Sequence, residues 1–122
     1  MSRITKDELV LFISDLEKYE DIALLLCTFL GITREELSTL TVNSVLKDDL
    51  FLYDRDKTRV FNYNDTSEHQ LLRSLLARMN EEEIRNISRN MDERFVRLGE
   101  LINMKNMTFD YIRASGKEAG TF

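Results

Sequence analysis

A chain of 122 residues with 43% hydrophobic and 32% charged side chains is long enough for one core, too short for two, and too apolar to be disordered. Seventeen basic residues stand against 22 acidic ones, a formal charge of −5, which weakens any nucleic-acid reading built on bulk charge and leaves only a local basic face for phosphates. Proline is absent, glycine occurs four times, and the one cysteine excludes an internal disulfide, so the composition points to a mainly helical protein of a reducing, cytoplasmic compartment.

In chain order, MSRITKDELV carries acids where a signal peptide would carry an apolar core. Thr5 and Glu8 form a T-x-x-E capping box with Ile4 and Leu9 as its hydrophobic staple, and Leu9, Phe12, Ile13 and Leu16 recur at helical spacing behind it. Tyr19–Asp21 reads as a short break, and Ile22–Leu30 as a helix apolar nearly all round, which belongs in the middle of a core. That run has about half the length needed to cross a bilayer, so no membrane partner is expected. Cys27 inside it is expected to be an inert buried thiol. Gly31 ends the helix as a left-handed glycine would, and Thr33 with Glu36 repeats the capping box for a short helix to about Leu40.

Between Leu50 and Tyr63 the pattern changes. LFLYD and TRVFNY are rich in aromatic and β-branched residues, with Asp54–Lys57 between them as a turn, which predicts a β-hairpin. Helix resumes at Ser67, where Gln70 completes another box-like start and Leu71, Leu72, Leu75, Leu76 and Met79 form a stripe. Asn80 with Glu83 then opens what reads as one long helix, its apolar positions Ile84, Ile87, Met91, Phe95, Leu98 and Ile102 averaging the helical period, with Glu81→Arg85 and Glu93→Arg97 as i,i+4 pairs. Thr108 caps a last helix that Ser115–Gly116 are expected to end, leaving residues 116–122 as a flexible tail. The expected class is therefore mainly α with a small β-hairpin, in a single domain.

Charge is uneven along the chain. Residues 1–46 hold four basic and eight acidic side chains, residues 47–66 four and five, and residues 67–122 nine and nine. Arg73, Arg78, Arg85, Arg89, Arg94 and Arg97 are the one patch-like feature, able to follow a phosphate backbone or to pair with their acidic neighbours on a solvated face. The only histidine, His69, has no cysteine or histidine at ligand spacing, and neither Asp48-Asp49 nor Asp54-x-Asp56 has the glycine and glutamate of a calcium loop. No glycine-rich phosphate loop exists, so neither a metal nor another cofactor is expected.

The order of elements, with ITKDEL, DIALLLCTFLGITREELSTLTVNSV, TRVFNY and MTFDYIRASG in it, resembles the catalytic domain of the tyrosine recombinases, or phage integrases. The resemblance covers residues 1–115 and implies an integrase-catalytic-domain-like α+β fold that lacks the C-terminal nucleophile segment. It also shows where this chain departs from the family. Thr33 stands in place of the first family arginine, and Arg34 is one position, about 100° of helix, away from it. Asp110 stands in place of the histidine before the second arginine, which matches Arg113, and Lys57 is the nearest candidate for the family's hairpin lysine. Tyr19, Tyr53, Tyr63 and Tyr111 do not match the nucleophile's place.

Stabilising a phosphoryl group in flight needs convergent cationic donors, each worth on the order of 10²–10³ in rate. With so many missing, the chain is expected not to be an enzyme. What the resemblance implies instead is a non-catalytic, integrase-like regulator from a phage, prophage or other mobile element. It would act by protein–protein contact, with an integrase-fold recombinase or repressor as partner. The rival is a DNA-binding regulator on the same fold, with Arg34, Lys57, Arg113, Arg85 and Arg89 as phosphate or partner contacts. A decayed recombinase fragment and an unrelated enzyme come after these. No oligomeric state follows from the sequence.

Overall fold

The computed structural model describes residues 3–104 and 107–122, so Met1 and Ser2 of the entry segment and residues 105 and 106 of the 80–106 stretch lie outside the described residues. Among the described residues the chain forms helices α1 (Lys6–Ser14), α2 (Tyr19–Phe29) and α3 (Arg34–Ser38), followed by a single 3-10 turn at Val42–Ser44. Strands β1 (Asp49–Asp54) and β2 (Lys57–Asn62) come next, then helices α4 (Ser67–Leu76), α5 (Glu81–Asn86), α6 (Met91–Leu101) and α7 (Phe109–Glu118). This is a mainly helical domain with one antiparallel hairpin, as the composition and periodicity predict. None of its helices is long and apolar enough to cross a membrane.

Helix α2 is the axis of the core. Residues Ala23 to Phe29 are all buried, and the helix packs against α7, α4 and α5, so an element apolar on every side meets a neighbour on every side. Thr28 is tolerated there because its hydroxyl donates to the Leu24 carbonyl at 2.7 Å. Cys27 is fully buried and burial pushes its thiol up to about 12, so it is neutral and inert at physiological pH. Tyr19–Asp21, expected as a break, is instead the first turn of α2: Lys18 is its extended N-cap, and its side chain makes no capping bond.

The capping boxes at Thr5/Glu8, Thr33/Glu36 and Asn80/Glu83 form as the sequence predicts, and Thr108 accepts from the Tyr111 amide to start α7. The start of α4 differs by one residue. Thr66, not Ser67, is the cap, accepting from the His69 amide, so Gln70 has no part in a box. His69 is buried against Phe61, ring centroids 4.8 Å apart, with the Thr66 hydroxyl 2.6 Å from its Nδ1; burial lowers its pKa below the ordinary value, which keeps it neutral. It is a core residue.

The hairpin pairs Asp54 with Lys57 and Asp49 with Asn62, closing through a two-residue turn in which Arg55 takes φ 59°. Its inner face, Leu50, Leu52 and Phe61, is buried, and β1 packs on α3.

Two corrections concern the C-terminal half. The long helix expected from Asn80 to Ile102 is two helices, broken where Asn90 takes the left-handed φ of 52° just before α6 begins. Asparagine tolerates that conformation, and Asn86, Ser88 and Asn90 cluster where the helical period of the apolar residues continues uninterrupted. The last helix also does not stop at Ser115–Gly116: α7 runs on to Glu118, and within residues 116–122, expected as a flexible tail, Gly116 and Thr121 are buried. Thr121 is buried, its hydroxyl donating to the carbonyls of Phe29 at 2.8 Å and Gly116 at 2.9 Å. Ser115 in turn accepts the Ile4 amide at 3.2 Å, tying the start of the described chain to α7.

Candidate functional site

Thr33 sits at the N-cap of α3, and its hydroxyl is used by the Glu36 amide at 3.2 Å. Arg34 follows it into the first turn and is not a free solvated side chain. Its Nη2 donates to Asp92 at 2.7 Å, and its guanidinium lies 4.5 Å over the ring of Phe109, so it bridges α3 to the starts of α6 and α7. Asp110 is exposed in the first turn of α7, where a carboxylate is favoured by the helix dipole. One turn on, Arg113 lies 4.9 Å from the centroid of Phe122, and its Nε is buried without a hydrogen-bond partner. The two segments that the resemblance singled out are therefore brought together, through Arg34 and Phe109, but their cations end on aromatic rings.

The remaining candidates are scattered. Lys57 opens β2, exposed beside Glu35, Asp54, Arg55 and Asp56 in a depression of about 260 Å³ that is more acidic than basic. Arg85 pairs with Glu81 at 3.0 Å on the surface of α5, as its spacing predicts. Arg89 is exposed in the break after α5 and has no ion pair among the described residues.

Arg89 belongs to a cleft of about 390 Å³ between the beginnings of α2 and α6 that sequence reasoning missed. At its base Asp21 is buried, and Arg94 reaches it from α6 with Nε at 3.1 Å and Nη2 at 3.0 Å. The Nη1 of Arg94 donates to the carbonyls of Asn86, Ile87 and Arg89 at 2.9, 2.7 and 2.9 Å. One guanidinium thus neutralises the buried carboxylate and donates to the Ile87 and Arg89 carbonyls of the α5–α6 break, sharing the Asn86 carbonyl with the Arg89 amide. Arg97 adds a longer contact to Asp21 at 3.3 Å from a half-exposed position, so the expected Glu93→Arg97 pair gives way to a bond across the fold. Around this base lie Lys18, Arg89 and Arg97, opposed by Glu20 and Glu93. The visible signal in the sequence was Asp21, an acid immediately ahead of an apolar run.

A second bonded cluster ties the hairpin to α3. Arg59 grips Glu36 with Nε at 2.6 Å and Nη2 at 2.8 Å and reaches the Gly31 carbonyl at 3.2 Å, where the chain turns with φ 93°. Burial pulls the Glu36 carboxyl up, but the bonds from Arg59 and the Thr33 amide outweigh it and hold the group below its ordinary value of 4.5. A depressed carboxylate contributes stability that is complete above the unfolded value and lost as pH falls through the folded one. Acid unfolding followed by circular dichroism is therefore expected to move to higher pH in Arg59→Met, and an unchanged midpoint would mean that the pair carries no linkage.

The third concavity, about 410 Å³, runs between the 3-10 turn, the end of α4 and α5. Its floor is Leu76, Met79 and Ile84, all buried, and its walls include Val42 and Leu46, 42% and 44% exposed. Lys47 and Arg73 are its charged lining.

No protein-family model matches this chain, and no curated protein or solved structure is similar enough to match it.

Proposed function

We propose that this chain is a non-catalytic regulatory protein of a phage, prophage or other mobile element, resembling part of a tyrosine-recombinase domain and acting by contact with another protein, an integrase-fold recombinase or repressor. The observation that carries this reading is the fate of the residues at the resembling positions. Thr33 is spent on a helix cap, and Arg34 and Arg113 lie on Phe109 and Phe122. Phosphoryl transfer needs donors preorganised around one point, and these side chains are engaged in holding elements together. The test is direct binding to recombinases and repressors encoded beside this chain, with a nicked suicide duplex as the catalytic control. Stable complex formation without a covalent DNA adduct is expected. An adduct, or no complex with any such protein, would sink the proposal.

The second reading, a DNA-binding regulator, is favoured by the cleft at Asp21. Both α2 and α6 begin there without a side-chain cap, and Lys18, Arg89 and Arg97 line it. Helix starts and cations together attract phosphate, although Glu20 and Glu93 oppose them. Anisotropy of labelled duplex DNA at about 50 and 200 mM salt separates the two readings. Protein contact alone leaves DNA unbound at low salt. DNA binding through the cleft weakens steeply with salt, and neutralising Arg89 reduces the salt slope by about one.

A further inference from the structure

The groove between the 3-10 turn, α4 and α5 has a charge opposite in sign to that of the chain as a whole. The whole chain has an excess of acidic over basic residues, 22 to 17, yet the groove's lining holds two cations and no carboxylate. Lys47 is exposed and has no ion pair among the described residues. Arg73 is held only loosely, 3.8 Å from an exposed Asp48 outside the lining. Between these cations lies an apolar floor with Val42, Leu46 and Ala77 open to solvent beside it. Apolar walls with a rim of one charge sign suit a ligand that is apolar along its body and acidic at its edge. A phosphate backbone has no use for that floor. At about 410 Å³ the groove has room for a few side chains, the scale of a helix-in-groove or short-peptide contact.

Building on the protein-contact reading above, we propose that this groove is the docking surface for the partner, and that it takes a short amphipathic segment presenting apolar anchors with an adjacent aspartate or glutamate. The carboxylate settles against Lys47 and Arg73 while the anchors cover Val42, Leu46 and Met79.

The probe is a phage-displayed library of random dodecapeptides selected on the folded protein, with enriched peptides synthesised and titrated. Peptides with two or more apolar residues and an acid are expected, and their binding is expected to shift the amide resonances of residues 42–47 and 77–84. Ala77→Glu, which fills and charges the wall, and Lys47→Glu should each weaken binding at least about tenfold. Both positions are exposed, so thermal melts are expected to be unchanged and a loss of binding is not a loss of fold. Exchanging the peptide's acid for lysine should restore its affinity for Lys47→Glu. Four results overturn the proposal: no enrichment, peptides indifferent to the Lys47 charge, resonance shifts centred elsewhere, or displacement of the peptide by duplex DNA. A recombinase or repressor that still binds Ala77→Glu and Lys47→Glu removes the groove alone. Acidic peptides that bind while no such protein does remove the identity of the partner alone.

Discussion

Gly116→Ala is expected to destabilise this protein by about 3 kcal/mol or more, as a core overpacking does at the upper end of its range. The sign is the informative part. Gly116 lies inside α7, and replacing a mid-helix glycine by alanine normally stabilises by up to about 1 kcal/mol. Here a Cβ would overlap the carbonyl oxygen of Phe29, with the carbonyl carbon 2.6 Å away. Backbone cannot swing aside as a side chain can, and the same carbonyl accepts the Thr121 hydroxyl. Relief would require moving α7 off α2, the most extensive helix contact in the core. A thermal melt is expected to fall by about 10 °C or more. Gly120→Ala serves as the comparison, since nothing lies within 4 Å of its Cβ and its φ of 79° alone carries a cost of about 1–2 kcal/mol. A Gly116→Ala protein as stable as the parent would show that α2 and α7 do not approach as described.

Arg94→Met is expected to cost about 3–5 kcal/mol, the range for removing one partner of a buried ion pair. Asp21 and Arg94 have side chains 9% and 11% exposed, so water does little to replace what is lost. The change strands the Asp21 carboxylate with only the longer Arg97 contact, and it also removes the Arg94 donor from the Ile87 and Arg89 carbonyls, while the Asn86 carbonyl keeps the Arg89 amide. Adding Asp21→Asn to Arg94→Met should recover at least about 1 kcal/mol, because the buried charge goes while the open carbonyls remain. Arg97→Met, at a half-exposed position, should cost about 1 kcal/mol or less. Urea titrations of the four variants give the coupling, and strict additivity of Asp21→Asn and Arg94→Met would remove the pair from the account. The series also separates structure from binding: Arg94 holds the cleft's base, while Lys18 and Arg89 at its rim are available to a ligand.

The candidate residues sort along the same line. Of those the resemblance singled out, Thr33, Arg34, Asp110 and Arg113 occupy helix starts or rest on rings, where local geometry explains them, and Lys57 opens β2. Surfaces with open valences lie elsewhere, at the Asp21 cleft and at the groove walled by Val42 and Leu46. Neither could be found by scanning for motifs. Lys18 and Arg89 are far apart in sequence, as are Leu46 and Ala77, and no periodicity links them.

By itself the sequence determined the local structure: the capping boxes at Thr5, Thr33 and Asn80, the left-handed turn at Gly31, the existence of the hairpin and the place of its turn, and the burial of α2. The caps and turns among these depend on contacts within a few residues, between a side chain and the next turn of backbone or between strands joined by a tight turn, and the burial of α2 follows from its being apolar nearly all round. Only the tertiary structure decided what depends on distant partners. The apolar period from Ile84 to Ile102 runs through the α5–α6 break without a flaw, and the break is held by Arg94 of α6, which donates to the Ile87 and Arg89 carbonyls and pairs with Asp21 of α2. Ser115 and Gly116 look like a helix stop, yet they are the small residues that let α7 lie against the Phe29 carbonyl and continue to Glu118. A small or polar residue has one meaning to its own turn of helix and another to the element packed against it, and where that second element supplies backbone or a buried charge, it is the packing that prevails.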